Sequence, residues 1–213
     1  MYVAKIFWDN PYLTELNAQI TGVENQLVTV DKTIAFAFSG GQESDYGTIN
    51  GYSIVKAEKQ DQQITYLLDR LHDLQIGDNV LIKIDWARRY KLMRLHFAAE
   101  IILELVTQNF GSPEKIGAHI AADKARLDFA WQGNISQTFS FLEQEMQQIV
   151  SSNLPIKSAF ADQEKEIRYW EIDNFAKVLC GGTHIKETSE IGSLQLKRNN
   201  IGKGKERIEI LLR

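Results

Sequence analysis

The chain has 213 residues, of which 44% are hydrophobic and 24% charged, and its formal net charge is −4. These values are ordinary for a folded globular protein, and they exclude a largely disordered chain and a general nucleic-acid coat protein. The single cysteine and the lack of an apolar run near the roughly 20 residues of a membrane span predict a cytoplasmic protein that is not bound to a membrane.

The first part of the chain, residues 1–87, has the pattern of a β-rich domain. Short runs of β-branched and aromatic residues alternate with Gly, Asn and Asp, which are typical of turns. Asn50-Gly51 favours a tight hairpin turn. The predicted strands are residues 26–30, 33–38, 65–68 and 79–84. We therefore predict a small barrel-like β domain over 1–87.

The remainder, residues 88–213, mixes helical and strand patterns. Apolar residues between Leu92 and Val106 recur at helical spacing and predict a helix over 92–107, and a second helix is predicted over 136–151. Predicted strands cover 117–122, 125–131, 167–172, 193–197 and 207–212. This order favours an α+β domain in which an antiparallel sheet packs on helices.

His96 and Glu100 are one helical turn apart on the first predicted helix. Residues at this spacing are neighbours on the helix surface, so both side chains can point at one ion. A buried carboxylate needs a partner, because burying it unpaired costs several kcal/mol. The pair therefore indicates either mutual pairing or a metal site.

Cys180, the only cysteine, precedes His184 across two glycines. Glycines permit a tight turn that could direct the thiol and the imidazole at one centre. Together with His96 and Glu100 they offer four potential ligand atoms, two nitrogens, one oxygen and one sulfur. Such a set suits Zn²⁺ rather than Mg²⁺ or Ca²⁺. The alternative is that Cys180 is a small buried hydrophobe and His184 a loop residue.

The segment 39–47 is rich in glycine and could let a ligand approach the backbone closely. It lacks the Lys-Ser/Thr of a phosphate-binding loop, so ATP is not expected as a ligand. An ordinary hairpin connection is the alternative. Two basic runs, 88–94 and 197–207, could contact phosphates or could simply be solvated faces.

Four segments carry a resemblance to a known family: 40–47, 93–96, 167–192 and 202–208, the third of which includes Cys-Gly-Gly-Thr-His at 180–184. They resemble the free-standing alanyl-tRNA editing proteins of the AlaX type, in their medium-length form. These proteins are similar to the editing domain of alanyl-tRNA synthetase. The resemblance covers most of the chain.

The resemblance implies a trans-editing hydrolase that deacylates tRNA(Ala) mischarged with serine, or else glycine, at a zinc site. It implies His96, Glu100, Cys180 and His184 as metal ligands. Gln42 is implied near the scissile ester, with Glu100 as the second candidate catalytic residue. The implied substrate-binding residues are Gly40, Gly41, Asp45, Thr183, Arg88, Arg94 and Lys203, the last three through phosphates.

Glu100 stands where the family pattern has its second zinc histidine. A carboxylate can bind zinc, or it can act as a general base beside three protein ligands. A third possibility is an altered site that binds tRNA without hydrolysing the ester. From other functional classes, a zinc-dependent hydrolase of a small ester or amide is the alternative.

Overall fold

The computed structural model describes residues 3–213, which divide into two compact units. One comprises the chain up to Ser39 together with Glu43–Tyr90, and the other comprises Gly40–Gln42 and Lys91–Arg213. Met1 and Tyr2, with which the predicted first domain begins, lie outside the described residues. The predicted domains 1–87 and 88–213 remain a prediction, since a compact unit is not thereby an independent domain.

The described residues form three α-helices and fifteen β-strands. The helices are α1 (Ile6–Asp9), α2 (Trp86–Asn109) and α3 (Phe139–Ser151). The strands are β1 (Ala4–Lys5), β2 (Glu15–Glu24), β3 (Leu27–Val30), β4 (Lys32–Thr33), β5 (Gly47–Ile49), β6 (Tyr52–Gln60), β7 (Gln63–Leu68), β8 (Asn79–Ile84), β9 (Lys115–Ile120), β10 (Ala125–Ala130), β11 (Lys157–Asp162), β12 (Ile167–Ile172), β13 (Ala176–Leu179), β14 (Leu194–Gly202) and β15 (Lys205–Leu212).

In the first unit, six strands close into a barrel in the order β2-β3-β7-β6-β5-β8. Alternate residues of β7 and β8 are buried, which is the period of a strand with one face in a core. The predicted turn joins β5 to β6, and Asn50 and Gly51 both adopt the positive φ that such a turn requires. The short strands β1 and β4 pair in parallel.

The strand predicted over 33–38 is wrong, because β4 ends at Thr33. The buried segment that follows bonds to side chains instead of to a neighbouring strand. The Phe36 N–H donates to a carboxylate oxygen of Asp45 at 2.7 Å, and the Tyr66 hydroxyl donates to the Ala35 carbonyl at 2.8 Å. Apolar and β-branched composition predicted burial correctly here but could not distinguish a strand from an irregular segment.

The second unit contains two antiparallel sheets, β14-β15-β10-β9 and β11-β12-β13, with α3 and most of α2. Residues 40–42 belong to this unit, where Gln42 forms a parallel bridge with Ile120 of β9. The prediction of an α+β chain with mainly antiparallel sheets is confirmed. Both predicted helices are present, although α2 is longer at each end and α3 follows a 3-10 turn at Ile135–Thr138.

Helix α2 is buried over most of its circumference from Leu92 to Val106. A helix with apolar residues on nearly every side is stable only inside a core. The few polar side chains in this stretch, including His96 and Glu100, are therefore held in a largely water-excluded environment. Among the described residues, no helix combines the length and the apolar composition that a membrane span requires.

Candidate metal centre

Helix α2 places two polar side chains next to each other in the second unit. His96 and Glu100 are one turn apart, and His96 Nε2 lies 3.4 Å from Glu100 Oε1. The His96 side chain is buried, and that of Glu100 is only 17% exposed. The pairing predicted from their spacing is present.

The segment that follows β13 brings Cys180 and His184 to the same point. Cys180 Sγ lies 3.3 Å from His96 Nε2 and 3.3 Å from His184 Nε2. The ligand atoms of His96, Cys180 and His184 all lie within 4.8 Å of one another. These three residues could therefore hold a metal ion. Glu100 Oε1, at 3.8 Å from Cys180 Sγ, borders the same point.

Gly182 makes this arrangement possible because it has no side chain. A Cβ at this position would overlap the ring carbon Cε1 of His96 and would lie 2.8 Å from Gln42 Oε1. Neither neighbour can move away easily, since both are buried. The neighbouring Gly181 meets no atom within 4 Å of the corresponding position. Of the two glycines, Gly182 is the one that the close approach of His96 requires.

Three further side chains form hydrogen bonds to cluster atoms that do not face its centre. Gln42 Oε1 lies 2.7 Å from His96 Nδ1, and Ser158 Oγ lies 2.9 Å from His184 Nδ1. The Trp170 indole N–H donates to Glu100 Oε2 at 2.8 Å. Partners of this kind fix the orientation of metal ligands and keep their other atoms directed at the ion.

The amide of Gln42 is itself fixed by Thr183. Gln42 Nε2 donates to Thr183 Oγ1 at 2.9 Å, and the Thr183 backbone N–H donates to Gln42 Oε1 at 3.2 Å. Because Oε1 is thus an acceptor, it is His96 Nδ1 that carries the proton in their mutual bond. This leaves His96 Nε2 directed at Cys180 and Glu100.

The electrostatics of the cluster favour a positive charge at its centre. Burial acts to lower the pKa of His96, but Cys180 and Glu100 outweigh it and raise that pKa to about 10. Burial, assisted by the charge of His96, lowers the pKa of His184 to about 3. Burial acts against ionisation of Glu100, yet bonds from His96 and Trp170 lower its pKa to about 2. Glu100 is thus ionised, and His184 neutral, as metal ligands must be.

Two of the predicted substrate-binding glycines lie in the segment that carries Gln42. Gly40 and Gly41 both have positive φ, and a Cβ on Gly41 would lie 2.8 Å from the Ala118 carbonyl oxygen. The Gly41 carbonyl accepts a hydrogen bond from the Ile120 N–H at 2.8 Å. The segment is thus fitted to the edge of β9, which holds Gln42 beside His96.

Asp45 lies in the first unit and is buried. Its carboxylate accepts hydrogen bonds from Arg89 and from the Phe36 N–H. Arg89, also fully buried, donates further bonds to the carbonyls of Pro11 and Ile34. These bonds use the Asp45 carboxylate to stabilise the first unit, so its geometry does not support the predicted substrate-binding role.

The three predicted phosphate-binding residues differ in their surroundings. Arg88 pairs with Glu43 at 2.5 Å and stacks on Tyr46, with its guanidinium 3.9 Å from the ring centre. Arg94 donates to the Ile191 carbonyl at 2.8 Å. Lys203 is exposed in the turn between β14 and β15. Of the three, only Lys203 is exposed, and the phosphate-binding roles of all three remain predictions.

Comparison with known proteins places this architecture in a class. Residues 167–209 match the family model described as the threonyl and alanyl tRNA synthetase second additional domain. This stretch contains Cys180, His184 and Trp170 of the cluster. The part of the chain that carries Cys180 and His184 is therefore similar to a domain of those synthetases.

Individual relatives are more specific. The chain is 30% identical to the alanyl-tRNA editing protein AlaX-M of Pyrococcus horikoshii, over 98% of this chain and 97% of that protein. It is 28% identical to the AlaX-M protein of Methanosarcina barkeri over 94% of this chain and 95% of that one. An alanine–tRNA ligase of Methanococcus maripaludis is 30% identical over 96% of this chain but only 25% of the ligase. The chain belongs to the family of free-standing alanyl-tRNA editing proteins of the AlaX-M type.

Proposed function

We propose that the chain is a zinc-dependent trans-editing hydrolase that removes serine, or else glycine, from mischarged tRNA(Ala). Membership of the editing family supports the reaction class. The observation that carries the proposal is the convergence of His96 Nε2, Cys180 Sγ and His184 Nε2, with Glu100 Oε1 beside them. A largely buried set of two nitrogens, one sulfur and one carboxylate oxygen is suited to Zn²⁺ and unsuited to Mg²⁺ or Ca²⁺.

The separations between the ligand atoms agree with zinc. Bonds of about 2.0–2.3 Å at tetrahedral angles place neighbouring ligand atoms roughly 3.3–3.6 Å apart. Both sulfur–nitrogen distances are 3.3 Å, the His96–Glu100 distance is 3.4 Å, and the Glu100–Cys180 distance is 3.8 Å. These four separations are close to those of a tetrahedral site, in which Glu100 would move to complete the group formed by His96, Cys180 and His184.

We assign Glu100 as the fourth ligand rather than as a free general base. Its Oε2 is held by the Trp170 indole, and this directs Oε1 at His96 and Cys180. Trp170 is fully buried, and its ring packs edge-on against Phe97 of α2. The indole is thus fixed and can keep the carboxylate from rotating away. An ionised carboxylate bound at both oxygens is a poor base, because its lone pairs are already engaged.

Gln42 has two tasks in this proposal. Its Oε1 orients His96, which keeps Nε2 directed at the metal. Its amide nitrogen has two hydrogens, of which one is donated to Thr183 Oγ1, and we assign the other to the substrate ester. Bound Zn²⁺ would supply Lewis-acid chemistry at the ester or at the attacking water. The protein side chains supply orientation, and water attack on an activated ester needs only modest catalysis beyond that.

The need for such a reaction follows from the limits of recognition by size. A synthetase pocket built for alanine gains little from excluding glycine, and a hydroxyl added by serine is rejected weakly by an apolar pocket. A second site that hydrolyses the wrong ester corrects these errors. Alanyl-tRNA(Ala) must be spared for the correction to be useful.

The test is deacylation of purified seryl-tRNA(Ala) and alanyl-tRNA(Ala), with and without a zinc chelator. We expect hydrolysis of the seryl ester that stops on chelation and returns with Zn²⁺, while the alanyl ester survives. Cys180→Ala should lose both the metal and the activity, because it removes the one sulfur ligand. Hydrolysis by a variant shown to be metal-free would overturn the zinc proposal. A folded, zinc-loaded protein that binds tRNA but hydrolyses neither the seryl nor the glycyl ester would overturn the proposed activity.

Glu100→His tests the assignment of the fourth ligand. We expect this variant to retain stoichiometric zinc and at least the activity of the parent protein, since imidazole is also a zinc ligand. Zinc content is measured by mass spectrometry after gel filtration, and deacylation is measured on the same sample. Glu100→Ala is the comparison and should bind zinc more weakly. If Glu100→His keeps its zinc but no longer hydrolyses the ester, Glu100 acts as a base and the assignment is wrong.

A further inference from the structure

An exposed apolar side chain lies directly beside the candidate metal centre in the second unit. Leu179, the last residue of β13, is 68% exposed and immediately precedes Cys180. A single exposed leucine is ordinary at a protein surface. Here, however, Ile167 of the neighbouring strand β12 is also exposed, at 39%. Apolar side chains that share an exposed face often mark a binding site.

The two faces of the sheet β11-β12-β13 have different tasks. Alternate residues of β12 are buried, and one of them, Trp170, donates to Glu100, so the buried face is directed at the cluster. Because successive side chains of a strand point to opposite faces, Tyr169 lies on the other face. Leu179 is paired with Tyr169 in the register of β12 and β13. The exposed face therefore presents Leu179, Tyr169 and Ile167.

Two lysines share a single carboxylate on this exposed face. Lys157 and Lys177 lie opposite Glu171 in the sheet, and their Nζ atoms are 3.5 and 3.6 Å from its Oε2. Both lysine side chains are more than half exposed, and ion pairs of this kind are weak. One carboxylate cannot neutralise two ammonium groups. The three side chains therefore leave a surplus positive charge that suits a phosphate.

The exposed face and the cluster meet at one edge of the sheet. In the strand order of the described residues, β13 is an edge strand. The chain passes from Leu179 on the exposed face to Cys180 at the cluster in one residue, and consecutive Cα atoms are only about 3.8 Å apart. The next residue, Gly181, is exposed, and no atom lies within 4 Å of the position that a Cβ would take. A ligand held at the cluster can therefore extend around this edge onto Leu179.

We propose that this exposed face binds the terminal adenosine of the tRNA, the nucleoside whose ribose carries the ester. The base packs on Leu179, and Lys157 and Lys177 contact the phosphate that joins this nucleoside to the preceding nucleotide. The inference rests on the proposed function, because that function places the ester at the cluster. A second copy of the chain is a poorer occupant, since a symmetric dimer would bring the same surplus of positive charge against itself.

Leu179→Ala tests the contact with the base. The affinity of the whole chain is measured at fixed salt for uncharged tRNA(Ala) and for the same tRNA without its terminal adenosine. We expect Leu179→Ala to weaken binding of the intact tRNA by about 4- to 30-fold, because each methylene group buried is worth roughly fourfold in affinity. Binding of the truncated tRNA should not change. Leu179→Met, which keeps an apolar side chain of similar volume, should bind as the parent does.

Lys177→Gln tests the contact with the phosphate without altering a neighbour of Cys180. It should also weaken binding of the intact tRNA alone, and the loss should shrink as salt is raised, because the lost contact is ionic. Leu71→Ala is the matched control, since Leu71 is an apolar side chain of the first unit that is 74% exposed. It should leave both affinities unchanged.

Two results would refute the inference: parent-like affinity of both Leu179→Ala and Lys177→Gln for intact tRNA, or an equal loss for intact and truncated tRNA. A parent dimer that Leu179→Ala dissociates without any change in tRNA affinity would assign the face to a second copy instead. If the parent meanwhile deacylates seryl-tRNA(Ala), the proposed function stands and this inference alone fails. If the parent protein binds no tRNA, both fail.

Discussion

Gly182→Ala is expected to reduce zinc affinity by more than about 100-fold, whereas Gly181→Ala leaves it within about twofold. The added methyl group of Gly182→Ala would overlap the His96 ring and crowd the Gln42 amide oxygen. Both neighbours are buried in a packed interior, so His96 can avoid the overlap only by leaving the position in which Nε2 meets Cys180. Loss of a partner that orients a ligand already costs about 10–100-fold in affinity, and here the ligand itself is displaced with its partner.

The measurement is competition for Zn²⁺ against a chromophoric chelator, combined with urea unfolding of the metal-free proteins. The metal-free Gly182→Ala protein should also lose about 1–3 kcal/mol of stability from overpacking. Gly181→Ala shares the local backbone change, so it separates a general effect on the turn from the specific overlap. Wild-type zinc affinity in a folded Gly182→Ala protein would contradict the placement of His96 against this glycine.

Arg89→Met is expected to destabilise the protein by about 3–5 kcal/mol, the cost of leaving one member of a buried ion pair without its partner. The Asp45 carboxylate would remain buried, and the carbonyls of Pro11 and Ile34 would also lose a donor. Lys83→Met is the control, because Lys83 forms an ion pair with Glu15 in which both side chains are more than half exposed. An exposed pair of this kind contributes less than about 1 kcal/mol.

The free energy of unfolding is measured with urea for both variants and for the double variant Asp45→Asn/Arg89→Met. The double variant should be less destabilised than the sum of its two single changes, because it removes the unpaired charge that each single change leaves behind. An Arg89→Met protein within about 1 kcal/mol of the parent would show that the pair does not stabilise the first unit as its burial implies.

The sequence predicts some parts of the fold well because they depend on local patterns. Strand β8 and the turn at Asn50-Gly51 follow from alternation and from the positive φ that Asn and Gly tolerate. Helix α2 follows from its apolar spacing. The ten-residue strand β2 is absent from the predicted strands, although Leu16, Ala18 and Ile20 alternate with polar residues as the buried residues of β8 do. Ala18 is small and weakly β-forming, so composition alone gives this alternation little weight.

The candidate site likewise contains residues that the sequence predicts and residues that it does not. His96, Glu100, Cys180 and His184 can be nominated because metal ligands are a short list of residue types at recognisable spacings. Ser158 and Trp170 cannot, since neither has a spacing relation to the ligand it orients. Gln42 is found through the family resemblance, whereas its bond to His96 depends on how residues 40–42 reach β9. The substrate-binding role predicted for Asp45 lacks support for a related reason, because its partner Arg89 is 44 residues away.

The path of residues 40–42 has a consequence for how the protein can be divided. The chain on either side of this short segment belongs to the first unit, whereas the segment itself belongs to the second, where Gln42 pairs with Ile120 of β9. A fragment beginning at Lys91 would keep all four proposed ligands but would lack Gln42, the side chain that orients one of them. No single cut of the backbone yields one piece with the complete cluster and another with the complete barrel. Recombination that exchanges residues 1–90 as one block would therefore also exchange Gln42, the side chain that is hydrogen-bonded to His96.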